Sequence, residues 1–146
     1  MSKASTKTRS KAVGRRSSIP TRTSPLRWWR TIAPRNVRVP ALRVMETALS
    51  KVAMLGEARW RDAVAGDAAA AIAIALSARH EETLKFDLAM TALVVCGRQG
   101  SAAACIVLAN LIERMPGAGE LESDLATSWL DQGERLLPAR YRGRKP

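Results

Sequence analysis

No carboxylate precedes Glu46 in this chain, although twelve Lys and Arg residues lie between Met1 and Arg43. Acid is absent again from Arg135 to Pro146, where five residues are basic. The seven basic and thirteen acidic residues between these ends leave the middle at −6. An acidic middle therefore carries two basic ends, a distribution that implies attachment to an anionic partner. Aromatic residues are also scarce: Phe and Tyr occur once each, and Ala and Leu dominate the apolar set. That mix disfavours a sheet, whose strands want branched and aromatic side chains, and favours packed helices.

Other scarcities exclude whole classes of protein. Cys96 and Cys105 are the only cysteines, too few for a disulfide framework and without the companions a zinc site needs. Each lies in an apolar helical stretch and reads as a buried reduced thiol. His80 is the only histidine, beside Glu81 and Glu82 in a polar turn. Catalysis needs several groups converging in a pocket, so the cluster reads as an exposed turn and the protein as non-enzymatic, with no catalytic, cofactor or metal residues. No apolar run reaches the roughly 18 residues that span a bilayer. No continuous apolar h-region marks a secretory leader. The expected setting is cytoplasmic and bacterial, with an exported effector or an organelle matrix as alternatives.

What is present reads as a basic tail and connector over residues 1–40, an α-helical domain over 41–137 and a basic tail over 138–146. Residues 1–25 lack apolar periodicity and are expected to be disordered. Val44, Ala48, Val52, Leu55 and Ala58 recur at three and four residues and predict a first helix over 41–65. Gly66 breaks it, and Asp67 caps an Ala-rich helix that is uninterruptedly apolar over 68–76 and so is expected to be buried nearly all round. A third helix spans 83–97, a fourth runs from the Ser101 cap to about Met115, and a fifth opens at Glu122 or Ser123 and stops before Pro138. The fold class is all-α, with about five antiparallel helices in a short α-solenoid or a helical bundle.

An internal repeat runs through this pattern. Gly66 to Ile72 aligns with Gly100 to Ile106 at an offset of 34, which sets Ala70 on Ala104 and Ala75 on Ala109. Ala89 aligns with Ala126 at an offset of 37. Ala89, Gly100, Ala104 and Leu108-Ala109, together with the step from Ala126 to Trp129, resemble Sel1-like repeats, relatives of the tetratricopeptide family. The resemblance covers about residues 58–137. Three departures stand out: Ala92 replaces an aromatic, Ala109 replaces a Gly, and neither first helix carries the usual Tyr. The resemblance implies helical hairpins stacked through small residues, Ala68, Ala75, Ala104 and Ala109 among them, and a concave surface that holds another protein. Two repeats are few for a solenoid, which raises the expectation of a homo-oligomer or of a further hairpin in residues 41–65.

The candidate anion or nucleic-acid contacts are Lys7, Arg9, Lys11, Arg15, Arg16, Arg27 and Arg30 at one end and Arg140, Arg142, Arg144 and Lys145 at the other. They suit phosphate backbones through counterion release. Trp28 and Trp29, between two arginines, suit stacking on single-stranded bases or a membrane interface, or fold back to cap the first helix. Arg59 to Asp62 and Glu113-Arg114 read as charged helix faces, and Trp60 and Trp129 as packing residues. The leading functional expectation is a protein-protein interaction module whose basic tails attach to an anionic partner. The alternatives are a nucleic-acid-binding accessory protein and a secreted bacterial effector.

Overall fold

A computed structural model of the chain describes residues 24–78 and 83–138. They form an all-α bundle of α1 (Val39–Ser50), α2 (Trp60–Val64), α3 (Ala68–Ser77), α4 (Thr83–Arg98), α5 (Ala102–Glu113) and α6 (Glu120–Leu136). Two 3-10 helices, Pro25–Arg30 and Pro34–Asn36, precede α1. The centre is α4, buried continuously from Phe86 to Gly97. It packs against Pro25–Arg30, α1, α3 and α5, and α6 packs on α5.

The start signals read in the sequence are made by the expected atoms. The Asp67 carboxylate accepts from the Ala70 N–H at 3.2 Å and the Ser101 hydroxyl from the Ala104 N–H at 3.1 Å, each satisfying a donor that the first helical turn leaves open. The turns before them share one geometry. Gly66 and Gly100 adopt φ of +110° and +112°, and Asp67 and Ser101 donate to carbonyls five residues back, Asp62 at 2.9 Å and Cys96 at 3.0 Å. This is the Schellman closure, in which a left-handed glycine lets the chain turn while the last carbonyls stay bonded. The 34-residue offset thus falls on two equivalent helix-to-helix turns.

Several expectations are corrected. The packed part includes residues ahead of Ala41, because residues 25–37 pack onto the bundle through Trp28, Trp29, Ile32 and Val37, all buried. A single helix over 41–65 does not form. Residues 51–59 are irregular, Gly56 takes φ of +80°, and the Trp60 indole N–H donates at 2.9 Å to the Val52 carbonyl just beyond the end of α1. The buried stripe of α1 is Ala41, Met45 and Leu49, one register from the expected one, and Leu55 is 94% exposed. Both stripes have helical spacing, and the tertiary neighbours select between them. In α3, Ala69, Ala73 and Leu76 face solvent, so α4 rather than α3 is the helix enclosed on all sides. The last helix opens two residues early, at Glu120, because the Glu122 carboxylate accepts the Gly119 N–H at 2.8 Å. That bond to the Gly119 backbone also lowers the Glu122 pKa.

Small residues set the approach of α5 to its neighbours. Ala70, Ala75, Ala89, Ala104, Leu108, Ala109, Ala126 and Trp129 are all buried, while Gly100 serves its turn. The tightest contacts lie at two other glycines. A Cβ on Gly97 would stand 2.8 Å from Cys105 Sγ, and one on Gly133 would meet Ile106 Cγ1 at 3.0 Å, Cys105 Cβ at 3.1 Å and the Ala102 carbonyl oxygen at 3.2 Å. Ala in place of a helical Gly gains up to about 1 kcal/mol in helix propensity, against roughly 1–3 kcal/mol of overpacking. At Gly133 the obstacles include backbone, which cannot move aside cheaply, so Gly133→Ala is expected to lose about 1–2 kcal/mol in urea denaturation. Equal or higher stability would show that α5 and α6 can part without cost.

Candidate functional site

Three arrangements on the described surface can be weighed as sites. The first surrounds Asp87, a carboxylate 5% exposed within the apolar stretch of α4. Its Oδ1 accepts from the Trp29 indole N–H at 3.0 Å and from the Arg30 guanidinium at 3.4 Å, and Arg27 Nε stands 3.9 Å from Oδ2. Arg30 also covers the Trp29 ring at 4.6 Å, and Phe86 meets that ring edge-on at 5.6 Å. One turn on, the Thr91 hydroxyl lies between the Leu26 carbonyl at 3.0 Å and the Asp87 carbonyl at 2.8 Å. Farther along, Arg98 Nε donates to the Val37 carbonyl at 3.0 Å and the Trp129 indole to that of Ile32 at 3.2 Å.

This arrangement revises the candidate contacts. Trp28 and Trp29 are buried, so neither ring offers a face to a base or a membrane, and they cap α4 more than α1. Arg27 and Arg30 are engaged with Asp87. The signal that sequence reading missed is Asp87 itself, a lone carboxylate entering an apolar run, which demands a buried partner. Lys7, Arg9, Lys11, Arg15, Arg16, Arg140, Arg142, Arg144, Lys145 and the cluster His80, Glu81 and Glu82 lie outside the described residues.

The second arrangement is a hollow of about 530 Å³ between the end of α1 and α2, floored by Leu49, Val52, Met54, Trp60 and Val64. Glu57 at its wall pairs with Lys85 at 3.4 Å, and Trp60 donates to Val52. Its one carboxylate and its one indole N–H are thus matched, and the remaining cations of its lining, Lys51 and Arg61, are exposed to solvent.

The third is a groove of about 470 Å³ along the outer face of α1, formed by Pro25, Arg43, Val44, Thr47, Ala48 and Lys51. The exposed stripe that mispredicts the core makes its floor: Val44, 43% exposed, and Ala48 alternate with Arg43, Thr47 and Lys51 on successive turns. Pro25 closes one side, because the Asp87 anchor holds Pro25–Arg30 beside α1. Among the described residues neither Arg43 nor Lys51 has an ion-pair partner. The nearest acid in sequence, Glu46, accepts from Gln99 at 2.9 Å. An apolar floor between two unpaired cations can seat an amphipathic anion.

The thiols offer no nucleophile. Burial raises the pKa of both Cys96 and Cys105 to about 11, with the Asp67 charge adding to it at Cys96 and Arg98 opposing it at Cys105. Among the described residues no group of three His, Cys, Asp or Glu could hold a metal ion, and no helix is long and apolar enough to cross a membrane. Comparison with known protein families, curated proteins and solved structures finds no match. The chain is placed by its architecture alone, an all-α helical bundle with a cationic groove on α1.

Two outcomes follow. Replacing Asp87 with Ala leaves the Trp29 indole and Arg30 facing an apolar helix; breaking a buried ion pair costs roughly 3–5 kcal/mol, here toward about 3 because Arg30 is part-exposed. Denaturation followed by tryptophan emission should show that loss, and an unchanged midpoint would remove Asp87 as the anchor. Thiol-disulfide reagents at pH 8 should react with Cys96 and Cys105 only as fast as the protein opens, whereas unfolded chain reacts at once. Because the folded thiol pKa lies above its ordinary value of 9, this contribution to stability is intact below pH 9 and declines as pH rises toward 11.

Proposed function

We propose that this protein is a non-enzymatic interaction module whose helical core holds a protein partner and whose basic ends strengthen attachment to an anionic one. The observation that carries this reading is the α1 groove, with its apolar floor and unpaired Arg43 and Lys51. Such a surface fits an amphipathic helix that presents apolar residues at helical spacing between carboxylates. The paired Gly66 and Gly100 turns support reading α3–α4 and α5–α6 as two hairpins of a Sel1-like repeat array. In that frame the array displays the groove at its N-terminal edge. The two free buried thiols fit a reducing compartment, the bacterial cytoplasm in the first instance.

The nucleic-acid alternative keeps the basic ends but loses its stacking groups, since Trp28 and Trp29 are inside the bundle. It would then act through phosphate contacts alone, without sequence preference. The export reading rests on residues beyond the described ones.

The test uses the full chain and two probes, an acidic amphipathic helical peptide of about 15 residues and a DNA duplex of about 20 base pairs, titrated by fluorescence anisotropy from about 50 to about 500 mM salt. The peptide should bind, and Arg43→Glu with Lys51→Glu should weaken it by about tenfold. Peptide binding indifferent to that reversal would sink the α1 assignment. Duplex binding that is tighter, and lost when Lys7, Arg9, Lys11, Arg15 and Arg16 become Gln, would favour the alternative.

A further inference from the structure

We infer that the occupant of the α1 groove is the outer face of α6 from a second copy of this chain, so that the protein self-associates through opposite charges on α1 and α6. The inference rests on reading that groove as a docking surface and supplies its partner. Of the six carboxylates between Glu113 and Glu134, five lie on α6, and Glu120, Asp124, Asp131 and Glu134 are exposed on it. Leu121 stands among them, 80% exposed among the described residues. Arg135, one turn beyond Asp131, and Arg35 beside it are the cations nearest these carboxylates, and with five acids to one base α6 as a whole remains the amphipathic, acidic helix that the groove calls for.

Position and charge agree. Arg43 and Lys51 lie about 12 Å apart along α1 and Asp124 and Asp131 about 10 Å apart along α6, at a rise of about 1.5 Å per residue, so two such helices laid side by side bring both pairs within side-chain reach. Among the described residues none of the four is in an ion pair. Thr47 on one helix and Thr127 on the other occupy the space between the charges with small polar groups. The groove and the acidic face cannot serve each other within one molecule without unpacking, because α1 lies against α4, α2 and Pro25–Arg30 while α6 lies against α5 and Pro34–Asn36. The chain's own residues 1–23 are a poor occupant: seven are basic and none acidic, so Arg43 and Lys51 repel them.

A contact between two different faces closes into a dimer when two copies exchange it about a twofold axis, and otherwise runs on as an open chain. Either form depends on salt, since the charges are at the surface and screened beyond about 10 Å at 0.1 M.

The experiment is light-scattering mass and sedimentation of the full chain at about 50 and about 500 mM salt. Two double variants accompany it, Arg43→Glu with Lys51→Glu and Asp124→Lys with Asp131→Lys, all at exposed positions. The wild-type chain should exceed monomer mass at low salt and fall toward it at high salt. Each double variant should lose self-association by at least about tenfold, as two attractions become repulsions. Mixing the two variants should restore an assembly, because one contributes an intact α6 face and the other an intact groove. Circular dichroism confirms that each variant is folded, and Arg43→Gln with Lys51→Gln provides a milder loss where reversal unfolds the chain. A monomeric wild-type chain at low salt, association that survives either reversal, or variants that stay apart when mixed would overturn the inference. The peptide titration separates this from failure of the docking reading: a monomer that still binds the peptide at α1 has a groove whose partner is another protein.

Discussion

Asp87 is the point on which the arrangement of this molecule turns. A carboxylate buried in the central helix of a bundle loses its hydration, a loss of several kcal/mol unless the charge is matched and its oxygens accept hydrogen bonds. Among the described residues the segment Pro25–Arg30 supplies those partners, through the Trp29 indole and the Arg27 and Arg30 guanidinium groups. The segment and the helix thus need each other. Without the segment α4 would hold an unpaired charge, and without Asp87 two indoles would have apolar cover but no acceptor for Trp29.

That single anchor organises the surface as well as the core. By laying Pro25–Arg30 along α4 and beside α1, it covers one flank of α1 and leaves the other as a groove walled by Pro25. The apolar residues of α1 then divide into a buried set, Ala41, Met45 and Leu49, and an outward set that includes Val44 and Ala48. The outward set lies between the cations Arg43 and Lys51, and the proposed docking rests on it. On α6, burying Leu125, Ala126 and Trp129 against α5 turns most of the carboxylates outward.

Much of the fold was legible in local signals. The caps at Asp67 and Ser101, the glycine stop at Gly66 and the Pro138 stop each act through atoms within a few residues, so their effect does not depend on the rest of the chain, whereas of Gly97 and Gly100, both read as ending the third helix, only Gly100 forms the turn and Gly97 lies inside α4. The equivalence of the two turns was legible for the same reason. The stripe on α1 was not, because two helical stripes one residue apart are both apolar and only the neighbours decide which is buried. Nor was the break after Ser50, where the Trp60 indole bonds the Val52 carbonyl from eight residues away. The α1 groove lay in the sequence as a misassigned core stripe flanked by Arg43 and Lys51. Its exposure could not be seen until the true core was known.

The sequence by itself determined that the chain is helical, where most helices start and stop, that its ends are basic and that its middle is acidic. These follow from backbone propensity, short-range capping and formal charge, none of which needs a tertiary contact. The tertiary structure decided that residues 24–37 belong to the core, that Trp28 and Trp29 are packing groups rather than binding groups, and that α4 rather than α3 is enclosed. The physical reason is common to all three. Burial is a property of what lies across from a side chain, and the bond between Trp29 and Asp87 joins residues 58 apart, a pairing that no local pattern specifies.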